Sequence, residues 1–276
     1  MSTDKQILPA FVERFNKHQR MQHLLLMISV LALIITGFPI KYGYMAWSAK
    51  VVSFFGSFTV MFYIHLTAAV LILLSGAYHL LWILFNFRER KTWGTIPNLK
   101  DLTDAVDHFQ YLLGIRKDPP QFGRYTYLEK FEYLALVWGI PVMGLSGFIL
   151  WFPERAAAWL PRWALDVTRI VHSNEAFLAT LALAVGHFYA VHFNPGVFPS
   201  SSVWYNGKIS RHHLAEEHPL EYQQLVEESQ RKGLTFDEPD HHPRLAGSKP
   251  YMMLLLGVYT VLFLLMLKTF IPMLLS

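Results

Sequence analysis

Residues 54–87, FFGSFTVMFYIHLTAAVLILLSGAYHLLWILFNF, decide the fold class of this chain. The stretch contains no Asp, Glu, Lys or Arg, and it exceeds the roughly 20 apolar residues that a helix needs to cross a bilayer. It therefore predicts a transmembrane helix that is long enough to tilt or to project beyond the membrane. Two histidines, His65 and His79, interrupt its apolar character.

Four further stretches are also long and predominantly apolar, and the whole composition agrees with them. Hydrophobic residues make up 53% of the 276-residue chain and charged residues only 16%, against about 25% in soluble domains. A soluble globular enzyme is therefore excluded. We predict an all-α integral membrane protein, with a four-helix transmembrane bundle and a fifth, C-terminal transmembrane helix. The predicted spans are residues 23–40, 54–87, 127–152, 165–193 and 251–275.

The distribution of basic residues predicts the orientation of these spans. Lys and Arg are frequent in the N-terminal segment before the first span and in the long connection between the second and third spans. The connection between the first and second spans contains only two basic residues, Lys41 and Lys50. By the positive-inside rule, we expect a bacterial inner-membrane protein whose N-terminus and two long connections lie on the cytoplasmic side. We predict a bundle over residues 1–222, a polar cytoplasmic linker over 223–250 and a membrane helix over 251–275.

The chain has no cysteine, which excludes several redox centres. It cannot by itself hold an iron–sulfur cluster or a thiolate zinc site, and it lacks the thiols that attach a c-type haem. A redox centre in this chain must therefore be held by His, Met or carboxylate groups. The sequence also shows no basic, aromatic-interleaved surface of the kind that binds nucleic acid.

The spacing of five histidines in or at the apolar spans is the main functional signal. His65 and His79 are separated by about 21 Å along a helix and lie within about 40° of one face. His172 and His187 are separated by about 22 Å and are offset by about 60°. His23 lies at the cytoplasmic end of the first span. Ionisable groups inside a bilayer are costly and usually functional.

Imidazoles at two depths are typical of haem ligation, because haem iron accepts one neutral His on each side. We predict two non-covalent haem b groups. His65 and His172 lie toward the outer side, whereas His79 and His187 lie toward the inner side, where His23 is a second candidate partner for His187. The small residues Gly76 and Gly186, beside the inner histidines, would leave room for a flat macrocycle.

Other interpretations of these histidines remain open at this stage. A His-dependent proton or metal transporter without haem is the main alternative, although Glu175 is the one acidic residue in the interiors of the second and fourth spans. The remaining histidines are expected to be solvated or structural. The glycines of the third span favour close helix contact and could equally accommodate a haem edge. No internal repeat stands out.

The chain resembles the membrane cytochrome b subunits of respiratory oxidoreductases, especially the formate dehydrogenase gamma subunit type. The resemblance covers roughly residues 11–222 and depends on the order of several short motifs. These are Arg20-x-x-His23, the isolated His65, Glu129-Lys130-Phe131-Glu132-Tyr133 with Gly147 and Trp151, His172 with His187, Asn206-Gly207-Lys208-Ile209-Ser210-Arg211, and His218-Pro219.

The resemblance implies a di-haem bundle that passes electrons between a partner and quinone. By position, His65 and His172 would ligate the outer haem, and His23 and His187 the inner one. Hydrogenase-type cytochromes b carry a second His where this chain has His79, so that residue stays an alternative inner ligand. The implied partner is an iron–sulfur or c-type cytochrome subunit, and the chain itself would have no substrate-converting site. Lys130, Tyr127 and His79 are candidate quinone-binding residues.

Overall fold

Four long helices make up most of the computed structural model, which describes residues 9–87, 94–194, 197–198 and 200–234. The first half contains α1 (Lys17–Lys41), the short α2 (Ala46–Phe54) and α3 (Phe58–Phe85). The next elements are α4 (Leu99–Leu112), α5 (Tyr127–Trp151), the short α6 (Pro153–Ala157) and α7 (Arg162–Leu181). Helix α7 continues through π-helical turns at Ala182–His187 and Tyr189–Phe193.

Local sequence signals explain where these helices begin. Asn16 caps α1 and Thr126 caps α5, each through a reciprocal capping box with the residue three positions later. Such a box satisfies two backbone N–H groups that a helix start otherwise leaves unpaired. The side chain of Ser57 accepts a hydrogen bond at the start of α3. Four of the five predicted spans overlap the long helices, and α1 begins at Lys17, six residues before the predicted start of the first span.

The four long helices form a closed antiparallel bundle. Helix α1 packs against α3 and α7, and α5 packs against α7 and α3. Within the described part of the chain, four helices are long and apolar enough to cross a membrane, which confirms the predicted all-α membrane bundle. The fifth predicted span, residues 251–275, lies outside the described residues, and so do His241 and His242.

The bundle has small side chains inside and large apolar side chains outside. The buried residues of the long helices are mostly small or hydroxyl-bearing, and Met61 is the largest fully buried side chain. Gly144 permits the close approach of α5 to α3, since a β-carbon there would lie 2.7 Å from Cδ2 of Leu73. Close contact through small residues is typical of helices that pack in a bilayer, where lipid contacts the large side chains.

A polar layer covers the end of the bundle at which the chain begins. It contains β1 (Phe11–Glu13), which pairs antiparallel with β2 (Lys208–Ser210), and two helices, α9 (Arg211–Glu217) and α10 (Pro219–Arg231). The short α8 (Val203–Asn206) leads into β2. The backbone of Leu220 donates a hydrogen bond to the carbonyl of Phe122 in the connection before α5, which links that connection to this layer.

This layer corrects two expectations about the polar segment after the fourth span. The start of the predicted linker at residue 223 lies inside helix α10, which has a buried Ser229. His218 is 3% exposed rather than solvated, because Arg14 and the carbonyl of Gly123 hydrogen-bond its ring. The predicted linker begins as a packed helix because α10 is amphipathic: it turns one face toward the protein although its composition is polar.

Candidate functional site

His65 of α3 is held by a hydroxyl group of the neighbouring helix α1. Its Nδ1 lies 2.9 Å from Oγ1 of Thr36, a fully buried residue. Gly37, the next residue, makes room for the ring, because a β-carbon there would lie 3.2 Å from Cε1 of His65. The imidazole is therefore fixed between α1 and α3 through one nitrogen.

His172 of α7 has the same environment on the opposite side of the bundle. Its Nδ1 lies 2.9 Å from Oγ of Ser146, a buried residue of α5. A β-carbon at Gly147 would lie 3.2 Å from Cε1 of His172. His65 and His172 are also close enough to interact electrostatically with each other. The two histidines form one pair, which we call pair one.

The two halves of the bundle therefore repeat one local arrangement. Residues 35–38, Ile-Thr-Gly-Phe, and residues 145–148, Leu-Ser-Gly-Phe, each precede the histidine that they contact on the next long helix. Thr36 and Ser146 were not predicted as site residues from the sequence. The shared pattern of a hydroxyl residue, Gly and Phe near the end of a membrane span was the signal that could have identified them.

His23 of α1 and His187 of α7 form a second pair, which we call pair two. Their ring centroids are 6.3 Å apart and their planes are inclined by 42°. Nδ1 of His187 lies 3.1 Å from the carboxylate of Glu132 on α5. Nδ1 of His23 is buried and lacks a hydrogen-bond partner among the described residues. A buried polar atom without a partner is uncommon and fits a site that a further group completes.

His79 of α3 lies near pair two but has a different environment. Its Nδ1 is 2.9 Å from Oε1 of Gln22, and its Nε2 is 2.9 Å from the hydroxyl of Tyr133. The ring also stacks on Trp82, with centroids 6.3 Å apart. Both ring nitrogens of His79 are therefore engaged in hydrogen bonds, whereas the side-chain hydrogen bonds described for His65, His172 and His187 all involve Nδ1.

Antiparallel packing places the two pairs at opposite ends of the bundle. On α1, His23 precedes Thr36 by 13 residues, which corresponds to about 20 Å along the helix axis. Because the chain reverses direction at each long helix, pair one lies at the end of the bundle that contains Thr36. Pair two, His79 and the first turn of α5 lie at the other end.

The glycines and candidate quinone residues have partners that the sequence did not show. A β-carbon at Gly76 would contact Ile140, and one at Gly186 would lie 3.8 Å from Oε1 of Glu132. Gly76 therefore faces α5. Lys130 makes an ion pair with Asp101 of α4, and Tyr127 lies within hydrogen-bond distance of His108.

The residues present fit the binding of haem. Each pair offers two imidazoles, which are the axial ligands that haem iron accepts, and the small buried side chains between the helices suit a flat group. In the described part of the chain, no group of three or more His, Asp or Glu residues forms a metal cluster.

These features define a class: a membrane-embedded b-type cytochrome, in which a cysteine-free helical bundle binds haem without covalent attachment. The chain belongs to the prokaryotic cytochrome b561 family, whose model matches residues 14–204. No curated protein matches it in a sequence comparison. It is accordingly a multi-pass membrane protein of electron transfer that binds haem b.

Proposed function

We propose that this chain is a di-haem electron carrier that connects a partner redox subunit with the quinone pool. Pair one, His65 and His172, would ligate one haem b, and pair two, His23 and His187, would ligate the other. The observation that carries the proposal is the presence of two imidazole pairs at opposite ends of one bundle. Haem iron, when bound, supplies a reversible one-electron couple at each level.

The geometry favours His23 over His79 as the partner of His187. Iron ligation requires a nitrogen lone pair. In His79 the Gln22 oxygen can only accept, so Nδ1 carries the proton, and Nε2 accepts from the Tyr133 hydroxyl. Both nitrogens are thus committed. His23 has a buried nitrogen without a partner and lies beside the His187 ring.

The direction of the helices and the charge distribution support an arrangement across the membrane. With the N-terminus in the cytoplasm, pair one lies near the outer surface and pair two near the cytoplasm. Since the chain has no cysteine, an iron–sulfur or c-type cytochrome subunit would exchange electrons with pair one. Quinone would react near pair two, where His79, Tyr133 and Lys130 provide polar groups.

We further propose that the chain is a cytochrome b subunit of a respiratory oxidoreductase, of the formate dehydrogenase gamma or hydrogenase type. The support is the order of motifs in the sequence together with the family match. In this arrangement the chain carries no group that converts the substrate of the complex. Its own residues hold the cofactors, exclude water from them and present a polar site to quinone.

Haem content tests the proposal directly. The purified full-length chain should show a reduced b-type spectrum with two haems per polypeptide. His65→Ala and His187→Ala should each remove one haem, and different ones. His79→Ala is the matched control on α3 and should retain both. A colourless wild-type chain would instead support the proton or metal transporter, and loss of a haem in His79→Ala would exclude the pairing of His23 with His187.

Quinone reactivity tests the second part of the proposal. In membrane vesicles, a quinol should reduce the haems of the wild-type chain rapidly. His187→Ala should abolish this reaction while the haem at pair one remains reducible by dithionite. Equal quinol reactivity in the wild type and His187→Ala would place the quinone site elsewhere.

A further inference from the structure

The hydroxyl of Thr36 has only one way to interact with His65. A hydroxyl carries a single proton, and Thr36 donates it to the backbone carbonyl of Ala32 at 2.6 Å. The oxygen of Thr36 can therefore only accept from Nδ1 of His65, 2.9 Å away. Nδ1 consequently carries the proton of the neutral imidazole, and Nε2 keeps its lone pair.

The same reasoning applies to Ser146 and His172. Ser146 donates to the carbonyl of Val142 at 2.6 Å and lies 2.9 Å from Nδ1 of His172. The oxygen of Ser146 therefore accepts from Nδ1, which carries the proton of the neutral imidazole. His172 is therefore held in the tautomer that leaves Nε2 with a lone pair.

We propose that Thr36 and Ser146 are positioning residues, which hold His65 and His172 in the tautomer and ring orientation that ligate iron. The proposal rests on the proposed function, since it takes these two histidines as the ligands of one haem. A hydrogen-bond acceptor on the distal ring nitrogen fixes the orientation of a ligating His and increases its basicity. Here two neutral hydroxyls, one from each half of the bundle, fill that role.

Pair two lacks this arrangement, so the effect is specific to one end of the bundle. His187 contacts the carboxylate of Glu132, and Nδ1 of His23 has no hydrogen-bond partner in the described chain. Removing the hydroxyls should therefore alter the haem at pair one and leave the haem at pair two as an internal reference. His65→Ala identifies the signals of each haem, because it removes those of pair one.

Thr36→Val and Ser146→Ala test the proposal in the haem-loaded, full-length protein. Each variant should raise the midpoint potential of the haem at pair one, because a less basic imidazole stabilises ferric iron less. Each should also shift the low-spin ferric EPR signal of that haem, which reports ring orientation. The potential and EPR signal of the haem at pair two should stay unchanged. Thr36→Ser and Ser146→Thr keep the hydroxyl and should retain the wild-type values.

Two matched controls remove a hydroxyl beside each ligand without touching its Nδ1. Thr67 is two residues from His65 and donates to the carbonyl of Tyr63, and Ser173 adjoins His172 and donates to the carbonyl of Ile170. Thr67→Val and Ser173→Ala should leave both haems unchanged.

Three results would overturn the proposal. The first is wild-type potentials and EPR signals in both Thr36→Val and Ser146→Ala. The second is an equal change at both haems, which indicates a general structural effect. The third is loss of the haem in Thr36→Ser as well as in Thr36→Val, because side-chain volume rather than the hydroxyl would then matter. Each presupposes a wild-type protein with two haems, so failure of the proposed function itself is recognised separately.

Discussion

Glycine is required at position 207 because two parts of the chain meet there. Gly207 has a φ of +77°, which side chains other than hydrogen disfavour. A β-carbon would overlap with the carbonyl oxygen of Phe15. The carbonyl of Gly207 also accepts hydrogen bonds from the backbone of Arg14 and Phe15, so the residue connects the N-terminal segment to β2.

Gly207→Ala should therefore destabilise the polar layer strongly. We expect a loss of about 3 kcal/mol in the free energy of unfolding, from the left-handed backbone and the steric overlap together. Gly233→Ala is the control, because Gly233 has a φ of +72° with open space around it and should lose only about 1 kcal/mol. Thermal unfolding in detergent compares the two, and equal losses would show that the overlap is relieved without cost.

Glu132 should lower the potential of the haem proposed at pair two. Its carboxylate lies 3.1 Å from Nδ1 of His187, and a carboxylate on the distal nitrogen makes an imidazole a stronger donor. Glu132→Gln should therefore raise the midpoint potential of that haem in a redox titration. Glu175→Gln, on the same helix as His187 but beside Gly139, is the control. An unchanged potential in Glu132→Gln would contradict the assignment.

The candidate residues show how far single positions could be predicted. The five histidines were evident from the sequence, because ionisable groups are rare in apolar spans. Thr36, Ser146 and Glu132 could not be identified in this way, because hydroxyls and carboxylates are common near helix ends. Only their contact with a histidine ring in the folded structure marks them as site residues. Whether His79 or His23 faces His187 likewise depends on the rotation of α1 and α3.

At the scale of elements, the π-helical turns of α7 carry His187. An α-helix would offset His172 and His187 by about 60°, which does not place them on one face. A π-turn closes i→i+5 hydrogen bonds and so contains more residues per turn. The turn at Ala182–His187 therefore reduces the offset.

Helix α4 is attached to α5 by a nearly buried ion pair. Nζ of Lys130 lies 2.8 and 3.0 Å from the two carboxylate oxygens of Asp101, and both side chains are about nine-tenths buried. Along the rest of α4, large apolar side chains are exposed, including Leu99, Leu102, Val106 and Phe109. The polar contacts, rather than a shared apolar core, therefore determine where α4 lies.

Lys130→Met should lower stability by about 3 kcal/mol, because it leaves Asp101 charged and buried without its partner. Adding Asp101→Asn should recover part of the loss. Lys232→Met is the control, since Lys232 and its partner Glu228 are both more than half exposed and such pairs contribute little. Thermal unfolding of the single and double variants measures the coupling free energy between Lys130 and Asp101. Additive effects of the Lys130 and Asp101 substitutions would show that this ion pair does not stabilise the protein.

At the scale of the whole molecule, His218 joins the chain segments that form the polar layer. Its Nδ1 donates to the carbonyl of Gly123, and Arg14 donates to its Nε2 at 3.2 Å. A proton on Nε2 would therefore face the guanidinium. Burial lowers the pKa of His218 below 6.5 and the charge of Arg14 lowers it further, although the carboxylates of Glu129 and Glu217 oppose them.

Stability should consequently decrease as the pH falls below about 6.5. In the unfolded chain His218 takes up a proton near that pH, whereas in the folded chain it does so only at lower pH. The unfolded state thus binds more protons in this window. Melting temperatures between about pH 7.5 and about pH 5.5 measure the effect. His218→Gln should reduce the slope and His212→Gln should not; identical slopes in all three proteins would contradict this account.

The all-α membrane bundle with its four described spans followed from the sequence alone, as did the exclusion of thiol-based redox centres. Hydropathy and helix periodicity are local properties, so a single stretch is enough to establish them. The tertiary structure decided which nitrogen of each histidine is engaged, which residues of the neighbouring helix engage it, and that His218 is buried. These features depend on how antiparallel helices rotate and pack against one another, and that arrangement is a property of several segments at once.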